Sequence, residues 1–194
     1  MRQSQLQAKI QMLTMMGVFT ALVAILSYFG GFIKIGGLAS ISLTLIPVVL
    51  GAALYGPFAG AWLGGVSAVV FFFTPDAAFW YGLSLPGTII TVLVKGILAG
   101  LCAGFAYRLL QKVNRYLAVI VAAVVCPIVN TGIFLVGCLT FFSDFLYSSA
   151  SSSDMSVFGF LIVVFVGLNF VFELLANIVI SPALLRLLSL VQKK

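Results

Sequence analysis

The sequence predicts an all-α integral membrane protein built as a bundle of six transmembrane helices. Of the 194 residues, 63% are hydrophobic and 7% are charged, whereas about 25% of the residues of a soluble domain are charged. The hydrophobic residues fall in runs, several of them as long as the roughly 20 residues that a spanning helix needs. These runs are too long and unbroken for barrel strands, and in lipid only helices or closed barrels satisfy the backbone.

Six apolar runs are the predicted spans, and the second and third are short. These two meet at Tyr55-Gly56-Pro57, where glycine permits a tight turn and proline disfavours helix in the residue before it. We therefore expect a hairpin of two short spans, within one membrane domain that covers residues 1–194. The six runs are Met12–Phe32, Ile41–Tyr55, Phe58–Phe73, Pro86–Leu110, Tyr116–Phe142 and Val157–Leu190.

The distribution of basic residues predicts that both termini lie in the cytoplasm. With that orientation the outer loops hold one basic residue, Lys34, beside the acids Asp76, Asp144 and Asp154. Cytoplasmic segments of membrane proteins carry an excess of lysine and arginine, so the net charge of +6 needs no nucleic-acid partner. The basic residues of the predicted inner segments are Arg2, Lys9, Arg108, Lys112, Arg115, Arg186, Lys193 and Lys194.

Several kinds of chemistry lack the residues that they need. The chain has no histidine, no GxxxxGK[ST] sequence and no pair of acids within one predicted span, which argues against a metalloprotease, a P-loop ATPase and an aspartyl protease. The three cysteines stand singly in apolar runs and are interpreted as packing residues. We therefore expect no cofactor, and a binding protein rather than an enzyme.

Polar residues interrupt the predicted spans at four positions of interest. Lys95 lies in TVLVKGILAG, Asn130 lies in the fifth run, and Asn169 and Glu173 lie in the last run. An ionisable group at the centre of a spanning helix costs about 2.5–3.5 kcal/mol, so these residues must face the protein interior or a cavity. Two interpretations stay open. Either Lys95 and Glu173 form a structural ion pair, or Lys95 meets an anionic ligand in an outward-facing site whose asparagines bind the ligand's polar atoms.

Two of the predicted outer loops have compositions that suit a cover over such a site. The first, GGFIKIGGLAS, contains Lys34 and is rich enough in glycine to act as a lid. The second, TPDAAFWYGLSLPG, contains Trp80 and Tyr81, whose rings can close over a ligand. Binding residues are often carried on loops of this kind. The alternative is that both loops only connect spans.

Small residues recur at helical spacing in three of the predicted spans. Such faces let another helix approach closely, so each indicates either packing inside the bundle or docking to a separate subunit. The glycine stripes are Gly56, Gly60 and Gly64, which start at the turn before the third run, and Gly96, Gly100 and Gly104 in the fourth run. The first run carries a shorter patch near its cytoplasmic end, which suits an external partner: Gly17, Thr20, Ala21 and Ala24.

Three segments resemble the substrate-binding S components of energy-coupling factor (ECF) vitamin transporters. They are ISLTLIPVVLGAALYGPFAGAWLGG, VLVKGILAG and CPIVNTGIF. The resemblance extends over nearly the whole chain and is most specific at the hairpin with its central Tyr-Gly-Pro. The sequence NTGIF resembles the subgroup that includes pantothenate-type members.

This resemblance implies a multi-pass subunit of the bacterial plasma membrane that captures a vitamin from outside beneath a lid. Its expected partners are a scaffold membrane subunit and two cytoplasmic ATPases, which hydrolyse the ATP. In the family an AxxxA motif of the first span contacts the scaffold, and the matching positions here are Gly17 and Ala21, with Thr20 and Ala24 one face over.

The resemblance also implies where the ligand binds. The family uses the fourth to sixth spans and the first loop, where Lys95, Asn130, Asn169 and Glu173 lie. Pantothenate is the expected ligand, since Lys95 would meet its carboxylate and the asparagines would suit its hydroxyls and amide. Alternatives are a pyridoxine-like or hydroxymethylpyrimidine precursor, folate or riboflavin, or a structural membrane protein without a small ligand.

Overall fold

A computed structural model of the chain describes residues 2–30 and 43–191, and within these two ranges the backbone forms helices and turns without a strand. The all-α prediction is therefore confirmed. The helices are α1 (Arg2–Gly30), α2 (Leu45–Tyr55), α3 (Pro57–Phe71), α4 (Pro75–Leu83), α5 (Leu85–Leu110), α6 (Arg115–Phe141), α7 (Ser143–Ser152), α8 (Val157–Phe160) and α9 (Gly167–Val191), with a π-helical segment (Leu161–Val166) between the last two.

Three of the described helices are long and apolar enough to cross a membrane, namely α5, α6 and the Lys9–Gly30 part of α1. A fourth span is counted if α3 and α4 are taken together, although they are bent by 81° at their break. The apolar helix α2 and the Phe170–Ala183 part of α9 are shorter. The helices thus support a multi-pass protein, while the number of six spans stays a prediction.

The predicted hairpin of two short helices is present, and it turns on a single residue. Gly56 separates α2 from α3 with φ 100° and ψ 178°, a backbone conformation that residues with a side chain rarely adopt. Pro57 follows as the first residue of α3, where its missing N–H is not needed because the first turn has no acceptor for it. Gly56 and Pro57 together let the chain reverse without a loop.

The two glycine stripes face each other between α3 and α5. A Cβ on Gly60 would collide with the backbone of Gly100, and one on Gly64 with the backbone of Gly96. This contact confirms that the stripes serve packing inside the bundle. Because Gly60 pairs with the later glycine and Gly64 with the earlier one, α3 and α5 are antiparallel.

Helix α1 runs parallel to α3 and is joined to it by two side-chain hydrogen bonds. The indole N–H of Trp62 donates to Thr20 Oγ1 at 3.3 Å, and the Oγ atoms of Ser27 and Ser67 are 2.9 Å apart. We call the end of the bundle where α1 and α3 end and α5 begins the distal end. The opposite end, where α5 ends, is the proximal end.

The buried hydrophobic residues form two clusters, one in each half of the bundle. The proximal cluster consists of aliphatic, alanine and a few aromatic side chains from six helices, including Val23, Val48, Leu63, Ala103, Ala122 and Leu185. The distal cluster is largely aromatic and includes Trp80, Cys138, Phe142, Leu146 and Phe160. The candidate site lies where these clusters meet.

The last apolar run is not one uniform helix. It is divided into α8, the π-helical segment and α9, and Gly167 at the start of α9 has a non-helical backbone conformation (φ 12°, ψ −144°). π-Helical turns often occur at functional sites. In this chain the segment directly precedes the turns of α9 that carry Asn169 and Glu173.

Candidate functional site

A cavity of about 60 Å³ lies beside Lys95, enclosed by α1, α2, α3, α5 and α6. Its volume is enough for a few water molecules. Lys95 is the only charged residue among the described residues that line it, and the other polar residues are Ser27, Thr44, Ser67, Thr74 and Asn130. The cavity is therefore a small polar chamber with one cationic group.

The ammonium group of Lys95 lies over two aromatic rings. Its Nζ is 5.0 Å from the centre of the Phe134 ring and 5.7 Å from that of Phe71. Both distances are within the roughly 6 Å over which a cation is attracted to the face of a ring. One ring comes from α6 and the other from α3, so the two helices hold the ammonium at the cavity without neutralising it.

The structure brings Lys95 together with two of the other predicted residues. Asn130 is 8% exposed and lines the cavity with Lys95. Glu173 is 5% exposed and lies near enough to Lys95 for the two charges to interact electrostatically. Lys34 and the side chain of Asn169 lie outside the described residues.

The segment that contains Trp80 and Tyr81 folds as α4 rather than as the predicted loop. The Trp80 ring packs edge-on against Phe134, with ring centres 5.3 Å apart, and so stands one aromatic layer behind Lys95. The hydroxyl of Tyr81 donates to the Phe72 carbonyl at 3.1 Å. Neither residue is among the described lining of the cavity.

Thr88 fixes α4 against the start of α5. Its buried hydroxyl shares its one hydrogen between the carbonyls of Trp80 and Ser84, at 2.9 and 2.8 Å, while Ser84 caps α5 by accepting from the Gly87 N–H. These bonds tie the backbone that carries Trp80 to the helix that carries Lys95. The aromatic layer is thereby held in a fixed position relative to the cavity.

The sequence of this chain matches a known family of membrane proteins. A family model described as the substrate-specific component of ECF transporters matches residues 11–185. The chain belongs to this family. No curated protein and no solved structure matches it significantly. Family membership identifies a multi-pass transport subunit that captures a substrate, and it implies association with the ECF scaffold and ATPase components.

The patch on the first helix of this S component divides into two faces. Gly17 and Ala21 are exposed, and a Cβ on Gly17 would meet nothing within 4 Å. Thr20 instead accepts from Trp62 and donates to the Met16 carbonyl at 2.7 Å, and Ala24 is half-buried. The outward face of the patch is thus formed by Gly17 and Ala21.

On α9 the S component carries a column of buried polar residues that begins at Glu173. Glu173, Asn177 and Ser181 follow one another at intervals of four residues and are 5%, 0% and 0% exposed. The Asn177 side-chain amide donates to the Glu173 carbonyl at 2.9 Å. Asn177 Oδ1 and Ser181 Oγ have no hydrogen-bond partner among the described atoms.

The sequence analysis did not single out several residues near Lys95, among them Ser27, Ser67 and Phe71 of the cavity lining and Phe134 beneath the ammonium. A lone serine or phenylalanine in an apolar run is usually a packing residue, so its residue type alone does not indicate a binding site. One signal was available on α3, because Gly64, Ser67 and Phe71 share one helix face and Gly64 belongs to a glycine stripe. The face of α3 that contacts α5 therefore also carries Ser67 and the Phe71 ring.

Proposed function

We propose that this S component captures pantothenate, and that Lys95 binds the pantothenate carboxylate. The single observation that carries the proposal is that Lys95 is the one charged group among the described residues lining the cavity. A charged hydrogen bond between an ammonium and a carboxylate is about twice as strong as a neutral one. The Phe71 and Phe134 rings orient the ammonium and leave its hydrogens available to a ligand.

Pantothenate also has an amide and two hydroxyls, and the neutral lining supplies groups that suit them. The Asn130 side chain can both donate and accept hydrogen bonds, as can the serine and threonine hydroxyls. The small volume favours a small vitamin, since pockets that hold drug-sized ligands occupy about 300–1,000 Å³. We infer that the site widens on binding, and that folate or riboflavin would require far more widening.

The proposed setting is a six-span subunit of the bacterial plasma membrane, folded as one domain with both termini in the cytoplasm. In this orientation the distal end, and the cavity near it, open towards the outside of the cell. The exposed face of Gly17 and Ala21 docks on the scaffold subunit, and two cytoplasmic ATPases drive uptake. Lys34 and Asn169 complete the ligand site in this proposal, with Trp80 and Tyr81 covering it.

The proposal is tested by calorimetric titration of the purified protein with pantothenate and with its uncharged alcohol analogue. We expect saturable binding of pantothenate, and weaker binding of the alcohol by about a hundredfold, as expected for loss of a buried charged partner. Lys95→Gln should bind both with similar, weak affinity. The matched control is Lys112→Gln, because Lys112 is exposed beyond the end of α5.

A different result would reject the proposal. If Lys95→Gln binds pantothenate as tightly as the unaltered protein does, the ammonium does not meet the carboxylate. If the unaltered protein does not bind pantothenate, the ligand is another compound.

The electrostatic interaction between Lys95 and Glu173 favours a second candidate. If these two charges compensate each other, the site suits a neutral ligand such as pyridoxine or hydroxymethylpyrimidine, whose ring could stack on Phe71 or Phe134. Tight binding of either compound, with silence towards pantothenate, would select this candidate. Glu173→Gln would then weaken binding about as much as Lys95→Gln.

A further inference from the structure

The two serines of the cavity lining lie at the contact between α1 and α3 and are hydrogen-bonded to each other. The Oγ atoms of Ser27 and Ser67 are 2.9 Å apart, in a partly buried position. Both residues line the same cavity as Lys95 and Asn130. Neither lies in the helices α5, α6 or α9 that carry the charged and amide groups of the site.

The hydrogen bonds of this pair leave part of its capacity unused. A serine hydroxyl can donate one hydrogen and accept two, and one of the two hydrogens joins the serines to each other. Among the described atoms neither hydroxyl makes a second bond. One hydrogen and three acceptor positions are therefore available at the cavity wall.

This behaviour differs from that of other hydroxyls in the same helices. Thr20 donates to the Met16 carbonyl at 2.7 Å, and Thr14 donates to the Ile10 carbonyl at 2.9 Å. Such bonds to the preceding turn are how a serine or threonine inside a helix usually uses its hydrogen. Ser27 and Ser67 instead direct their hydroxyls across the α1–α3 contact.

The backbone positions this pair next to the cationic part of the cavity. Gly64 brings α3 against Gly96 of α5, the residue that follows Lys95. Ser67 lies about one turn further along α3, and Phe71, whose ring holds the ammonium, lies a further turn along the same face. A ligand that reaches Lys95 therefore enters the chamber whose α1–α3 wall is formed by the serine pair.

We propose that Ser27 and Ser67 form a second ligand subsite, which binds an alcohol hydroxyl of the substrate. A hydroxyl group fits the unused capacity because it can accept the spare hydrogen and donate to one of the free oxygen positions. The substrate class is thus a hydroxyl-bearing small molecule. This inference rests on the proposed function, in which a vitamin occupies the Lys95 cavity.

The test combines protein variants with ligands that lack one hydroxyl. Ser27→Ala, Ser67→Ala and the double variant are titrated with pantothenate and with two analogues, each lacking one of its two hydroxyls. We expect each single variant to bind pantothenate about tenfold more weakly, and the double variant to lose little more. With one of the two analogues, the serine variants and the unaltered protein should bind equally.

Thr14→Ala is the matched control, because Thr14 lies on the same helix with its hydroxyl bonded to its own backbone. Melting in detergent without ligand tests folding, and either folded single variant is sufficient because each one breaks the pair. Wild-type affinity of the serine variants, together with weak binding by Lys95→Gln, would overturn the subsite and leave the proposed function standing. An equal loss with every ligand would also overturn it, since the pair would then only join the helices.

If the unaltered protein does not bind pantothenate, the same design uses pyridoxine and two analogues, each lacking one of its two alcohol hydroxyls. Equal binding of all three compounds by the unaltered protein overturns the hydroxyl subsite. If the unaltered protein binds neither pantothenate nor pyridoxine, the proposed function and the subsite fall together.

Discussion

The proximal and distal halves of the bundle use different side chains to bring helices together. In the proximal half, glycines let α3 and α5 touch backbone to backbone, and alanines fill the cluster around them. In the distal half, the buried cluster is largely aromatic, and a polar cavity lies beside Lys95. The glycine contact between Gly64 and Gly96 marks the boundary between the halves, because both residues line the cavity.

This difference separates a structural frame, which is the proximal half, from the proposed binding site in the distal half. Interiors as dense as the proximal half respond strongly to small changes in volume. The distal half contains a cavity and rings that contact each other edge-on, such as Trp80 and Phe134. Substitutions in the frame should change stability first, whereas substitutions around the cavity should change ligand binding first.

The largest effect is expected from Gly60→Ala in the frame. The added Cβ would collide with the backbone of Gly100, which cannot move aside as a flexible side chain could. We expect a loss of about 3 kcal/mol or more, seen as poor yield or a much lower melting temperature in detergent. Gly132→Ala is the control, since a Cβ there meets nothing within 4 Å, and it should melt at the same temperature or higher.

A second large effect is expected on the outer surface of α1, without any change in the frame. Ala21→Trp should abolish co-purification with the ECF scaffold and ATPases, because the bulky ring prevents close approach of another helix. Ligand affinity and melting temperature should stay unchanged. Leu109→Trp, at a position on α5 that is 78% exposed, is the control. Normal assembly of Ala21→Trp would remove this face from the interface.

An intermediate effect is expected from Phe134→Leu beside the cavity. This change removes the ring nearest to the Lys95 ammonium and replaces it with a side chain that has no negative face. Affinity for pantothenate should fall about tenfold. Phe158→Leu, at a position 73% exposed, should bind normally. Equal affinity of the two variants would show that the ring does not orient the lysine.

The smallest effect is expected from Ser181→Ala in the proximal half. The Ser181 hydroxyl is fully buried and its Oγ has no partner among the described atoms, so its removal should leave stability unchanged or raise it by about 1 kcal/mol. The melting temperature in detergent measures this, with Ser151→Ala at an exposed position as control. Strong destabilisation would mean that the hydroxyl has an essential bond.

The sequence predicted the frame better than the site. The hairpin at Gly56 follows from local rules, since proline, glycine and helical spacing act within one or two turns. Helical spacing also identified the glycine stripes as faces for close packing, and the structure shows that they pack against each other. Similar reasoning predicted that Lys95 and Asn130 both face the interior of the protein or a cavity. A helical period shows which residues share a face, and a charge inside a span must turn inward.

The remainder of the site depends on contacts between distant segments. Phe134 lies under Lys95, and Ser27 lies beside Ser67, because of how each helix is rotated against its neighbour. A single sequence does not specify this rotation. Helix α4 was predicted as a loop because its segment is aromatic and bounded by prolines. Pro75 at its first turn, followed by Asp76, is nevertheless a common helix start.

The most direct test of a binding site in the distal half uses the two tryptophans as separate reporters. Trp80 contacts the aromatic layer behind Lys95, whereas Trp62 is 61% exposed on α3 and bonds to α1 near the proximal cluster. In Trp62→Phe only Trp80 remains, and pantothenate should change its fluorescence saturably, with the affinity that calorimetry gives. In Trp80→Phe only Trp62 remains, and pantothenate should leave its fluorescence nearly unchanged. A saturable response of Trp62 with none from Trp80 would contradict the account, because the ligand would then bind away from the cavity.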